Sequence, residues 1–168
     1  MGTGKTAVGR ALAARLGRRL VETDAVIEKL AGESIPDIFR RHGEIAFREL
    51  EIQAVKQVSN GRRQIIACGG GVVLNTINIE RLRKTGVVVL LAATPTCIYR
   101  RTASAPGTRP LLDVANRRAR IRELMAVRRP FYELAADITV DTSNLSVEAV
   151  ADLIVEKLKE HEGIDIEK

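Results

Sequence analysis

The chain of 168 residues contains no tryptophan, and aromatic residues make up only 3 % of it. So few rings leave little on which unpaired bases could stack, which argues against a single-strand nucleic-acid binder. Cysteine is equally scarce. Cys68 and Cys97 stand alone, with no CxxC pair, so neither a disulfide framework nor a zinc site is indicated, and both read as small buried hydrophobes. The longest purely apolar run, residues 87–93, is far too short to span a bilayer. No basic-then-apolar leader opens the sequence, which begins on a glycine loop. A soluble protein of a reducing, cytoplasmic compartment is the expectation. At 45 % hydrophobic and 29 % charged, the composition permits one packed domain over residues 1–168.

The net charge of +6 is unevenly placed. Nine arginines and only two acids, Asp113 and Glu123, lie between Arg100 and Arg129, so this stretch alone carries +7. Such a block suits either a nucleic-acid backbone or a compact polyanion such as a triphosphate, and the shortage of aromatics favours the latter. Arg117, Arg118, Arg120 and Arg122 read as a solvated helix face.

Hydrophobic spacing predicts helices over residues 5–16, 25–30, 44–58, 77–83 and 115–134, the last interrupted by Pro130. Ser34 reads as the cap of a further short helix, Thr94-Pro95 as a cap followed by proline in the first turn, and Ser146 as the cap of a final helix. Short strands are expected at residues 19–22, 64–68, 87–91 and 138–140. The segment 104–113, with Pro106, Gly107 and Pro110, has little to bury and reads as an irregular surface loop. Strands alternating with helices imply an α/β fold, a three-layer sandwich with a central parallel sheet flanked by helices.

Three clusters carry chemistry. Gly2-Thr3-Gly4-Lys5-Thr6 runs straight into a helix and matches the second half of the P-loop pattern, in which backbone N–H groups wrap phosphates, lysine reaches the β/γ oxygens and the hydroxyl ligates Mg²⁺. A glycine-rich tail that happens to contain GKT is the bland alternative. Glu22 and Asp24, two apart at a strand end, suit one group for the metal and one for a substrate hydroxyl, although such acids also serve as helix caps. Gly69-Gly70-Gly71 follows a buried strand and offers amides to an anion, or forms a plain turn.

Lys5-Thr6, Glu22-Thr23-Asp24, Phe47-Arg48, Gly69-Gly70-Gly71, Arg109-Pro110-Leu111-Leu112 and Arg128 occur in an order and spacing that resembles shikimate kinase over essentially the whole chain. The resemblance implies a P-loop NTPase-type fold like that of nucleoside monophosphate kinases, with a five-stranded parallel sheet, a substrate-binding segment over residues 25–51 and a lid over 104–113. It implies transfer of the ATP γ-phosphoryl group to the 3-hydroxyl of shikimate, with Mg²⁺, in aromatic amino-acid biosynthesis. Lys5 and Thr6, with Gly2, Thr3 and Gly4, would hold the ATP phosphates, and Thr6 and Glu22 the metal. Asp24 would bind ring hydroxyls and help deprotonate the acceptor. Arg48 and Arg128 would clamp the carboxylate, with the Gly69, Gly70 and Gly71 backbone beside it and Glu51 orienting Arg48. Ile35, Phe39 and Phe47 would form an apolar wall, although both phenylalanines also read as ordinary core. Arg109 would approach the transferring group, and Arg101, Asp141 and Thr142 would fall near adenine.

Two departures stand out. Glu22 replaces the family's usual aspartate, and the first glycine of the P-loop pattern would fall before Met1. The expectation is that a strand usually preceding the loop is absent from this chain, which leaves an open slot in the sheet, and that the native polypeptide begins roughly ten residues earlier. Other readings are a kinase of another hydroxy acid such as gluconate, against which the joint presence of Arg48, the triple glycine and Arg128 is weighed, and a nucleotide- or nucleic-acid-binding module without catalysis. The expected partners are shikimate and ATP, with no nucleic acid or membrane, and the expected state is a monomer.

Overall fold

The computed structural model describes residues 2–103, 110–112 and 114–161. The first helix, α1 (Lys5–Arg15), leads to strand β1 (Arg19–Glu22), then α2 (Thr23–Ala31) and α3 (Ile35–Val58). Strand β2 (Gln64–Ala67) follows, then a short 3-10 turn (Val72–Leu74), α4 (Thr76–Arg83), β3 (Val89–Ala92) and α5 (Pro95–Thr102). A 3-10 turn at Pro110–Leu112, helix α6 (Arg117–Ala135), β4 (Ile138–Asp141) and α7 (Val147–Glu160) complete it.

Local chemistry explains most of the boundaries. The Ser34, Thr94 and Ser146 hydroxyls each accept the N–H three residues on, satisfying a donor that the first helical turn leaves open. Asn116 does the same for α6. Helix α3 is two helical segments meeting at Gly43, whose φ of 80° and ψ of 179° break the helical path. Pro130 does not interrupt α6. Leu124 and Arg128 before it and Ala135 after it are buried, while Pro130 and Ala126 face solvent, where water can satisfy the carbonyl that proline leaves unpaired. Helix α2 begins two residues earlier than its periodicity predicts, so Asp24 lies in its first turn rather than at a strand end.

The four strands form two parallel pairs. β1 pairs with β2 in the register Val21 to Ile66, and β3 with β4 in the register Leu91 to Val140. Successive side chains of β2 go to opposite faces. Ile65 joins the cluster of Val8, Leu12, Leu91, Val140, Val150 and Ile154 beneath α1 and α7. Ile66 joins Val55, Val72, Val73, Leu82 and Ala135 beneath α3, α4 and α6. This is the expected three-layer arrangement, with one difference. Among the described residues the sheet has four strands rather than five, and β2 is not hydrogen-bonded to β3. A cleft of about 1550 Å³, lined by residues of both strands, runs from this gap to Lys5, Gly70 and Arg128.

A third cluster fixes the front of the molecule. Ile27 and Ile38 are fully buried with Phe47 and Ala54 between α2 and α3, each isoleucine contributing about 1.5–3 kcal/mol by burial. The segment 104–113 divides. Residues 104–109 and 113 lie outside the described residues, but Leu112 is buried against Ala93, Ile98, Ile121 and Leu124. The segment therefore has an apolar anchor that its proline content conceals.

Candidate active site

The glycine loop ends where α1 begins. Gly4 adopts φ 92°, a left-handed conformation natural to glycine, and turns the chain so that Lys5 and Thr6 open the helix. The Thr6 hydroxyl donates to Glu22 Oε1 at 2.5 Å. Glu22 occupies the N-cap position of α2 yet makes no side-chain capping bond, so the cap reading of this acid fails. The result is a hydroxyl and a carboxylate side by side at the loop. Hard oxygen donors of this kind, few in number, fit a magnesium ion that keeps waters and phosphate oxygens as its other ligands. On the other side, the Thr142 hydroxyl points to the carbonyls of Ala92 (3.0 Å) and Thr3 (3.3 Å), and Arg101 donates to Thr142 through Nη1 (2.9 Å) and Nη2 (2.6 Å). Asp141 accepts the Ser143 N–H, and bonds to Ser143 hold its carboxyl below the usual carboxylate range. The structure thus joins Thr3, Arg101 and Thr142.

A second group converges on the glycine triplet. A Cβ at Gly69 would sit 3.0 Å from Asp24 Oδ1 and 3.2 Å from Glu51 Oε1, so both carboxylates stand over one glycine. Asp24 keeps access to solvent, but partial loss of surrounding water raises its pKa above the ordinary value; Lys5 opposes the rise, and Glu22 and Glu28 add to it. Burial raises Glu51 likewise, partly offset by Arg48. Arg48 donates to Glu51 Oε2 at 2.8 Å and to Glu44 Oε1 through Nη2 at 2.8 Å and Nε at 3.2 Å. Its guanidinium also lies 5.1 Å from the Phe47 ring centroid. A Cβ at Gly71 would fall on Arg48, 2.6 Å from Nη2 and 2.7 Å from Cζ, so glycine is required there for the arginine to lie flat on the backbone. Arg128 is 5 % exposed and donates to the Gly70 carbonyl at 3.3 Å.

The predicted apolar wall divides. Phe47 is buried, a core residue that carries Arg48 on its ring. Phe39, half-buried and 4.7 Å from Phe47 between ring centroids, and half-buried Ile35 remain at the surface of the segment. Arg109 lies outside the described residues. The Cys68 thiol is pushed up to about 12 by burial, which leaves it an unreactive wall. Three contributors are given no role by the sequence, although Thr23 lies inside the Glu22-Thr23-Asp24 element. Thr23, fully buried, accepts the Gly69 N–H at 2.9 Å and fixes the triplet to α2. Glu44 is the second partner of Arg48, legible only as an i, i+4 spacing. Tyr132 donates to the Gly70 carbonyl at 2.5 Å, one turn beyond Arg128.

Comparison with known proteins bears directly on this geometry. The shikimate kinase family model matches residues 1–159. The shikimate kinase of Caldanaerobacter subterraneus subsp. tengcongensis is 48 % identical over 155 residues, covering 92 % of this chain and 90 % of that protein. That of Symbiobacterium thermophilum is 48 % identical over 162 residues, covering 95 % and 92 %. Among solved structures, the shikimate kinase of Acinetobacter baumannii in complex with shikimate superposes with a TM-score of 0.92 at 34 % identity, over 98 % of this chain and 91 % of that one. The Bacteroides thetaiotaomicron enzyme gives 0.85 at 28 % identity, over 95 % and 94 %. With the family model matched from the glycine loop to the last helix, the chain belongs to the shikimate kinase family.

Proposed function

We infer that this chain is an ATP-dependent shikimate kinase that transfers the γ-phosphoryl group to the 3-hydroxyl of shikimate, giving shikimate 3-phosphate and ADP. Membership of the family supports this activity, and one local observation carries the choice of acceptor. Two arginines, Arg48 and Arg128, flank a triplet of glycines whose backbone can be approached closely. A guanidinium fork matches a carboxylate in shape and charge. An acceptor such as gluconate is more extended and flexible than a ring, so it would not bring its carboxylate and hydroxyl to the same two ends without a larger ordering cost.

In this reading Arg48 and Arg128 take the carboxylate, with the amides of Gly70 and Gly71 beside them. Asp24 lies toward the ring hydroxyls, and its raised pKa makes its carboxylate a stronger base for the attacking 3-hydroxyl. Ile35 and Phe39 shield the apolar face of the ring. The N–H groups of the glycine loop, Lys5 and the N-terminus of α1 hold the ATP phosphates. Thr6 and Glu22 hold Mg²⁺, which when bound neutralises phosphate charge. Arg109 approaches the transferring group, as the family resemblance implies, and Arg101, Asp141 and Thr142 border the adenine. Catalysis is then chiefly positioning and charge neutralisation. Cytoplasmic location and a monomeric state agree with this reading; among the described residues no helix is long and apolar enough to cross a membrane.

ADP release measured with shikimate, with gluconate and without acceptor tests the assignment. Turnover with shikimate alone is expected; equal turnover with gluconate would refute it. Arg48→Ala and Arg128→Ala are each expected to weaken shikimate binding by about 2–5 kcal/mol and to leave ATP affinity unchanged.

A further inference from the structure

Arg128 and Tyr132 are one helical turn apart on α6 and reach the same atom, the carbonyl oxygen of Gly70. The tyrosine hydroxyl donates at 2.5 Å and the arginine Nη1 at 3.3 Å, so both lone pairs of that oxygen are used and the tyrosine makes the closer bond. The peptide is trans, so fixing the Gly70 C=O toward α6 aims the Gly71 N–H the opposite way. Among the described residues that N–H meets no acceptor. The Arg48 guanidinium lies over the same glycine.

We propose that Tyr132 is a positioning residue for substrate recognition: by holding the Gly70 carbonyl toward α6 it aims the Gly71 N–H away from that helix, where a substrate carboxylate can accept it, and lets Arg128 turn from the carbonyl to the same carboxylate. Without the hydroxyl, Arg128 is, among the described residues, the only remaining side-chain donor to the Gly70 oxygen, and turning to an anion would leave that oxygen without a side-chain partner among them. The tyrosine ring has a separate, structural role, packed against the cluster of Val55, Val72, Val73, Leu82 and Ala135. Phenylalanine preserves that packing, so Tyr132→Phe isolates the hydroxyl.

This inference rests on Arg128 binding the carboxylate, so the experiment carries Arg128→Lys beside Tyr132→Phe and the double variant. The expected result for Tyr132→Phe is a KM for shikimate raised about tenfold, the size of one hydrogen bond, with kcat and the KM for ATP within about twofold. The melting temperature should stay within about 3 °C. Arg128→Lys should raise the same KM, and the double variant should fall short of the product of the two effects because they share one oxygen. An unchanged shikimate KM in Tyr132→Phe while Arg128→Lys raises it would overturn the role of Tyr132 alone. An unchanged KM in Arg128→Lys would overturn the carboxylate assignment beneath it. Equal rises in both KM values for Tyr132→Phe would mark a general folding defect and also refute the proposal.

Discussion

Replacing Glu51 by glutamine separates the two things a buried ion pair can do, stabilise the fold and orient a ligand-binding group. Glu51 is 1 % exposed and bonded to Arg48 at 2.8 Å. Deleting one partner of a buried pair commonly costs about 3–5 kcal/mol, because the other charge is stranded. Here it is not stranded: the Arg48 side chain is 19 % exposed and keeps Glu44 at 2.8 Å. Glu51 itself has a raised pKa, so burial outweighs its attraction to Arg48 and its ionised form is a net burden in the folded state. The sign follows directly. A carboxyl whose folded pKa is raised stabilises the fold as pH falls through that value, and opposes it above. Glutamine removes the burden at neutral pH. Glu51→Gln is therefore expected to match or exceed the parent in stability at pH 7, by up to about 1 kcal/mol, or about 2–4 °C in melting temperature. The difference should shrink as pH falls below the Glu51 pKa. Orientation behaves oppositely. Losing one charge-assisted bond to Arg48 is expected to weaken shikimate binding by about 1–2 kcal/mol, roughly 5- to 30-fold in KM, with the KM for ATP unchanged. Thermal melts across pH 5–8 and steady-state kinetics with each substrate varied provide the readout. A melting temperature more than about 5 °C below the parent at pH 7 would show that the pair is a structural staple and refute the reasoning.

Two further predictions concern neighbouring residues. Because burial raises the Asp24 pKa, kcat/KM should fall on the acid side at a pH above the ordinary carboxylate range, and Asp24→Asn should lose that limb along with most of the rate; a limb that persists in Asp24→Asn belongs to another group. Gly71→Ala should displace the Arg48 guanidinium, a flexible group, rather than the backbone, so the shikimate KM should rise about tenfold or more with little change in melting temperature, and a fully functional Gly71→Ala would place Arg48 elsewhere.

The parts of this molecule legible in the sequence are those fixed by neighbours in the chain. Ser34, Thr94 and Ser146 cap helices because a hydroxyl three residues before a free N–H needs nothing else. Pro130 misleads for the converse reason: its local effect is to break a helix, and only the buried residues on both sides, which tertiary packing supplies, hold α6 through it. Leu112 is similar, a buried anchor within a segment of loop composition. In the candidate site, Asp24, Arg48, Gly71 and Arg128 stand out because they match the family pattern. Tyr132 and Thr23 act on backbone atoms 62 and 46 residues away, and no local signal announces such a bond. Phe47 shows the limit of a pattern, since a position beside an arginine proposed to bind the acceptor can support it from the core.

The glycine loop spans the cleft between the two strand pairs, and its attachments differ on the two sides. Toward β1 it is held by Thr6 on Glu22, a contact suited to reorganisation around a metal ion. Toward β4 it is held by its own backbone: the Thr3 carbonyl faces the Thr142 hydroxyl, which also faces the Ala92 carbonyl at the end of β3 and receives Arg101. With no hydrogen bonds between β2 and β3 to fix the halves, the hydroxyl of Thr142, itself only 2 % exposed, becomes the point where loop, β3 and β4 meet. Thr142→Val keeps the shape and removes the hydroxyl. It deprives Arg101 Nη1 of an acceptor and leaves buried carbonyls less well paired, a loss of about 1–3 kcal/mol. That loss falls on the half proposed to bind the phosphates, since every residue proposed for the carboxylate lies on α3, α6 or the glycine triplet. The KM for ATP should therefore rise several-fold while the KM for shikimate, assigned above to Arg48 and Arg128, should stay within about twofold. An unchanged KM for ATP in a folded Thr142→Val protein would mean that the loop is positioned from the Glu22 side alone.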